Sequence, residues 1–420
     1  MEDAPVDSVE ASMHPEDYSM EHFPLGSSDL PFDILLRITT YIPAEDLLTL
    51  SQVNRYLNEL LSDGSFWHLR ASSYYPKDLF PLIDDDERTT LQTLQIRCVK
   101  NERFRHAFRE EAVHMQSKWF PVAERGHRCN ALTFMDNGNV LVTGGNDHRV
   151  TLWNLRDIKD DSYSPELGLG DVGTVAHRHG DWVTSLCVWK NSLSSGSMDR
   201  SIRLYDVQGA QTLPITSLGT GRGVLCHDRD GPNTVVAGMH NSVELFDARV
   251  STFPVMYKFL SQADSFSLVW DIALVGHEAI IITSDSIRVM DTRMQRFVFS
   301  KEFPDGEQGY RISADGRNCW VGTNSGSVFL YDTQSFEIVS DFSEVFGFTQ
   351  CRVVGLHCDE SHVLACSADG SAKMMEPTKD PKVLWEWKNE SELDLRTLAF
   401  GSDCSIAISS ADRAHIWWPA

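Results

Sequence analysis

A repeat close to 42 residues constrains this chain more than any single motif in it. From about Phe120 onward, short runs rich in β-branched and aromatic residues alternate with Gly, Asp, Asn and Ser turns. One ending returns seven times: Trp153-Asn154, Tyr205-Asp206, Phe246-Asp247, Met290-Asp291, Tyr331-Asp332, Met375-Glu376 and Trp417-Trp418. The first members are 52, 41, 44, 41, 44 and 42 residues apart. A four-stranded propeller blade takes ~40–45 residues, so the spacing predicts seven blades. The clearest unit is HGDWVTSLCVWKNSLSSGSMDRSIRLYD, from His179 to Asp206. It reads as strand, turn, strand, tight Ser-Met-Asp-Arg turn, strand, then an aromatic–Asp pair. The seventh unit lacks an outer strand, and an open edge is a liability. Lys118–Arg125, KWFPVAER, is predicted to supply that strand: Phe120 and Val122 alternate, and Pro121 is tolerated at an edge. The 52-residue interval predicts an insertion between blades one and two.

Upstream the texture is helical. In LPFDILLRITTYIPAEDLLTLSQVNRYL, which begins at Leu30, residues Ile34, Leu35, Ile38, Tyr41 and Ile42 fall on one helix face. Pro31 suits a first helical position, and Pro43 ends the run. Phe32 and Leu36 point off that face, so the segment is apolar on more than one side. Glu87 to Ser117 holds no Pro or Gly and predicts one or two long helices, spanning ~45 Å if continuous. Residues 1–23 carry seven acidic residues and no Lys or Arg, which predicts a disordered tail.

Charge removes several classes. With 37 Lys and Arg against 60 Asp and Glu, the net charge is −23, which repels phosphate backbones and argues against nucleic acid as a partner. No apolar run approaches the ~18–20 residues of a membrane span, and the N-terminus lacks a basic-then-apolar signal sequence. The nine Cys form no C-x-x-C pair, which favours reduced thiols and a cytoplasmic or nuclear location. Gly168-Leu169-Gly170-Asp171-Val172-Gly173 spells a dinucleotide fingerprint but lacks the strand-then-helix context that would give it meaning. His177 and His179 stand alone as metal ligands. No catalytic constellation emerges, so a non-catalytic protein without cofactor or metal is expected.

The repeat half resembles the WD-repeat family across roughly residues 118–420. In that pattern His179, Ser195 and Asp199 share hydrogen bonds in the second blade, with Tyr205 where Trp is usual. Thr143, Asp147 and Trp153 match in the first blade, and Asp369 and Asp412 match the turn acid in blades six and seven. These are structural roles. Aligning each unit on its first strand places Arg128, Trp182, Arg222, Arg352 and Asp394 at equivalent rim positions. Either they form a recognition patch, in which Arg forks grip carboxylate or phosphate, or they are scattered rim residues.

With a propeller downstream, the helical stretch resembles an F-box. The matching features are Leu30-Pro31, Ile34, Leu35, Ile38, Tyr41-Ile42, Asp46-Leu47-Leu48, Val53-Asn54-Arg55-Tyr56-Leu57 and the late Trp67. The fold class expected is therefore α+β multidomain: an acidic tail (1–27), an all-α F-box (28–75), a helical linker (76–117) and an all-β seven-bladed WD-repeat propeller (118–420). The resemblance implies docking through Leu30, Pro31, Phe32, Leu35 and Leu36 on the Skp-type adaptor of cullin–RING ubiquitin ligases. Ile34, Ile38 and Val53 are assigned to the module's own core. The propeller would then bind a target protein through an acidic or phosphorylated degron, with Arg128, Trp182, Arg222 and Arg352 as candidates, in a monomeric receptor. The alternative is a WD-repeat scaffold without a ubiquitin role, in which the second apolar face packs inside the chain.

Overall fold

The computed structural model describes residues 32–419 except 54, 75–89, 110–114, 125, 161–172, 209–210, 250–254, 259–267, 305, 316–317, 349 and 390–393. Helices come first: α1 (Phe32–Thr39), α2 (Ala44–Leu50), α3 (Arg55–Leu61), α4 (Gly64–Tyr74) and α5 (Leu91–Arg109). The chain turns after α1, where Tyr41 N–H donates to Ile38 O and Ile42 N–H to Thr39 O. Pro43 then stands at the N-cap of α2, and its carbonyl accepts the first helical bond from Leu47. Helices of seven or eight residues are marginal alone and need a shared core. Ala44, Leu47, Leu61, Phe66, Trp67 and Ala71 provide it, joined by Leu94 and Cys98 of α5. Trp67 is wholly buried, meets Phe66 edge-on and donates its indole N–H to Leu61 O at 2.7 Å.

Helix α5 is shorter than expected from its lack of Pro and Gly, because Met115–Ser117 are strand. Absence of helix breakers does not distinguish a helix from an edge strand. Nor does α5 run free between two bodies. Its first half packs into the helical core. Its second half enters the propeller, with Phe104 and Ala107 in the core of blades six and seven. Arg97 adds an ion pair to Glu360 at 2.6 Å.

The repeats form seven four-stranded antiparallel sheets. Six use consecutive strands. The seventh combines Leu395–Phe400, Ile406–Ser410 and Arg413–Pro419 with Met115–Pro121. The closing strand thus begins three residues before the predicted Lys118 and ends at Pro121. Val122 and Ala123 lie buried beyond it, both donating to Asp412 O. Within blade one, the third strand (Arg149–Asn154) leads into α6 (Leu155–Lys159), whose Leu155 and Ile158 are buried. The outer strand Gly173–Arg178 follows. The long interval is therefore an insertion inside blade one, not between blades. Gly168–Val172 of the glycine motif lie outside the described residues, and Gly173 opens a strand.

Every blade is organised around an inner strand: Cys129–Met135, Val183–Trp189, Val224–Asp230, Val269–Val275, Gly309–Ala314, Val353–Asp359 and Leu395–Phe400. In all seven the register slips just after the first residue, a bulge that re-aims the following side chain. These strands start at one rim and end at the other. Helix α5 packs where the inner strands of blades six and seven end, through Glu360, His362 and Phe400. The rim where they start lies on the opposite face of the ring.

Candidate docking face and propeller rim

On the helical module, Ile34, Ile38 and Tyr41 recur at i, i+4 and i+7 and are 45%, 42% and 88% exposed; Val53 is 76% exposed. This corrects the assignment of Ile34, Ile38 and Val53 to the core. The core is built by α2, α3, α4 and α5, so the apolar stripe of α1 faces outward. Of the five docking candidates, Leu30 and Pro31 lie outside the described residues, as do the side chains of Phe32, Leu35 and Leu36.

The corner between α1 and α2 is held from two other helices. Arg70 on α4 donates to Thr39 O and Ile42 O, each at 2.6 Å, and to one oxygen of Glu102 on α5 at 2.6 Å. The second Glu102 oxygen accepts Ala44 N–H at 2.6 Å. The pair is well buried, where each charge needs these partners to offset lost hydration.

In blade two, His179 Nδ1 lies 2.9 Å from Asp199 and Nε2 lies 2.8 Å from Ser195 Oγ. Asp199 also accepts Gly180 N–H, Ser201 N–H and Ser201 O–H. His177 joins the set: its Nε2 is 3.1 Å from Ser195 Oγ and its ring stacks on Tyr205 at 4.0 Å. His179 bonds through both ring nitrogens and His177 through Nε2, its Nδ1 buried without a partner among the described residues, where no metal-ligand cluster occurs. In blade one Trp153 donates to Thr143 Oγ1 at 2.9 Å. Asp147 departs from the expected set and caps its own turn through Arg149 N–H. Blade one has no counterpart of His179 to draw that carboxylate inward.

At the rim where inner strands start, Arg128, Trp182, Arg352 and Asp394 each directly precede a first strand residue. Arg222 does not. Gly223 holds that position, and Arg222 bonds His240 O at 2.9 Å instead. The bulge brings in residues the alignment missed: Trp270, Tyr310 and Arg396, each the second residue of its strand. Trp270 and Tyr310 are ring neighbours at 4.8 Å, and Arg352 lies over Tyr310 at 5.4 Å. Arg128 and Arg352 both act electrostatically on Arg396. Burial first, and then Arg128, push the Arg396 guanidinium below its usual range, with Asp394 opposing. Arg396 Nε is buried and has no hydrogen-bond partner among the described residues. Thus Arg128 and Arg352 belong to one cationic–aromatic sector spanning blades four to one. Trp182, 51% exposed, stands on the same rim in blade two. Beneath the sector, half-buried Arg311 ties blade five to blade six through Val354 O at 2.8 Å.

An exposed apolar helical face lies at one end and a charged propeller rim at the other, and the chain is similar to F-box and WD-repeat proteins. The F-box-like family model matches residues 27–70, and the WD domain, G-beta repeat model matches 120–154 and 171–206. The chain is homologous to F-box/WD repeat-containing protein 9 of Homo sapiens, with 23% identity over 376 residues, covering 88% of this chain and 78% of the relative. The Bos taurus protein of that name is 24% identical over 369 residues, covering 86% and 76%. Among solved structures, the WD40 beta propeller domain of Doa1 shares the fold with a TM-score of 0.57 at 14% identity. That match covers 72% of this chain and 97% of that one.

Proposed function

We propose that this chain is the substrate receptor of a Skp–cullin–F-box ubiquitin ligase and catalyses no step itself. The carrying observation is the outward stripe Ile34, Ile38 and Tyr41 on a module whose own core is already filled. Exposed apolar side chains in register on one face mark an interaction site. The stripe is not packed against the propeller, which disfavours the scaffold reading. The adaptor sits on this face, the cullin–RING ligase follows through the adaptor, and the propeller rim holds the target on the far side of the ring. Ubiquitin transfer then gains from proximity, because a tethered lysine meets the charged conjugating enzyme at raised effective concentration.

The target is read by the sector of Arg128, Arg352 and Arg396 beside Tyr310 and Trp270, a setting suited to an acidic or phosphorylated segment. The receptor acts as a monomer in the cytoplasm or nucleus. Co-purification with a Skp-type adaptor tests the docking half. The full chain is expected to retain the adaptor, and Ile34→Asp with Ile38→Asp to lose it. Retention by that double variant would remove the assignment. Arg352→Glu with Arg396→Glu is expected to keep the adaptor and lose captured targets.

A further inference from the structure

The propeller rim is uneven around the ring. Neighbouring inner strands pack in chain order, and blade seven closes on blade one. Trp182 of blade two and Tyr310 of blade five are therefore three blades apart in a ring of seven, nearly across the mouth from one another. The two arcs between them differ in charge. One runs through blades one, seven and six and carries Arg128, Arg396 and Arg352. Arg128 and Arg352 are exposed and form no ion pair among the described residues, while Arg396 has Asp394 at 3.8 Å. On the other arc, blade three places Gly223 and Leu225 at the corresponding positions, and neither is charged. Trp182 is half-exposed on a fixed backbone: its N–H donates to Asp181 at 2.8 Å, and its carbonyl accepts Met198 N–H at 2.9 Å. At the opposite pole Tyr310 is paired with Trp270, and both are half-buried.

We propose that the rim reads an extended segment in which two apolar residues flank a short anionic run, and that Trp182 is the second of the two apolar anchors. This rests on the target-binding role proposed above for the arginine sector. Seven packed sheets at ~10 Å spacing enclose a mouth roughly 20 Å across, which about six extended residues span at ~3.3 Å each. The ends of the segment meet the two aromatic poles, where Trp182 and the Trp270–Tyr310 pair offer amphipathic contact area. Between the poles, anionic oxygens relieve the repulsion that Arg128 and Arg352 exert on Arg396. Carboxylate and phosphate both supply such oxygens. Blade three has no cation at these positions, so the segment bows toward blades one, seven and six.

The test presents the full chain with two bead-bound hexapeptide libraries. Both have randomised end residues; one has a core of Glu, and the other has phosphoserine at the two central places. The chain is expected to enrich apolar residues at both ends, and the library it prefers tells carboxylate from phosphate. Trp182→Ala should erase the apolar preference at one end and weaken the best peptide roughly tenfold or more in fluorescence anisotropy. Its melting temperature should not change, because the side chain is exposed. Arg352→Glu with Arg396→Glu should lose both libraries. If that pair loses them while Trp182→Ala stays within twofold and the ends show no apolar preference, the arginine sector stands and this inference is wrong. If the unaltered chain retains neither library, the target-binding role of the sector falls with it.

Discussion

Phe104 of α5 stacks on His362 of blade six, with ring centroids 4.5 Å apart and planes 11° from parallel. His362 also meets Phe400 of blade seven at 4.3 Å. One aromatic side chain from the helical module is thus seated across the seam between two blades.

Replacing that ring tests the joint. Phe104→Ala should cost about 3–5 kcal/mol locally, as for a large core truncation. The loss should loosen α5 from blades six and seven and leave blades two to four unchanged. Hydrogen exchange reads this directly. Uniform protection in the variant would mean that Phe104 is not the anchor.

Trp67 makes a separable demand. Trp67→Ala removes a fully buried indole and its bond to Leu61 O, at a cost of about 3–5 kcal/mol. A module of this size has little margin, so it should unfold while the propeller keeps its thermal transition. Calorimetry of the variant should show the propeller transition alone, at its original temperature; a propeller transition shifted down with the module would contradict the idea.

Two turn acids at like positions should differ. Asp199 accepts from His179, Gly180 and Ser201, and Asp199→Ala should cost about 1–3 kcal/mol by orphaning buried donors. Asp147 caps only its own turn, so Asp147→Ala should cost less than about 1 kcal/mol. Chemical denaturation of the two variants gives the comparison, and equal losses would count against it.

Acid should weaken the propeller. Burial, with help from His179, pushes His177 down to about 3; burial and Arg229 push His227 to about 3; burial and Arg413 push His415 to about 4. The unfolded chain takes these protons near pH ~6.5. Between those limits the unfolded state binds more protons, so stability falls as pH falls. Asp228 acts oppositely: raised to about 6 by lost hydration, it holds a proton in the folded state that the unfolded chain releases near pH ~4. Desolvation also pushes His179 and His357 down and Asp147, Asp271 and Glu244 up, and the histidines, whose interval runs from about 6.5 to below 4, act over the wider range. From pH 7 to pH 4 the melting temperature should drop by on the order of 5 °C or more. His227→Gln should flatten the slope, and a profile unchanged by that substitution would refute its part.

The sequence carried the propeller better than the site. Seven endings at a near-constant interval, five of them aromatic, remain legible even where Met290 and Met375 replace aromatics, because a period integrates many weak matches. The rim was harder. The inner strand of blade three begins at Val224, so Arg222 lies one residue off, and the bulge after each first strand residue brings Tyr310 and Arg396 to the rim where alignment by strand starts does not reach them. Their signal was slight: each is the second residue of its strand. The stripe of Ile34 and Ile38 was assigned inward because apolar periodicity ordinarily marks a core. Its outward direction depends on α5, which returns from about fifty residues downstream to fill the interior.

The pairing of Met115 with Pro419 has a consequence for how the molecule is made. The strand that completes the ring is synthesised before any blade, and its partner comes about 300 residues later. At ~5–20 residues per second, that edge waits at least roughly 15 seconds on the ribosome. A premature stop anywhere in the last unit would release a chain with both edges open. Ring closure is thus a check that the seventh unit has been translated through its last strand.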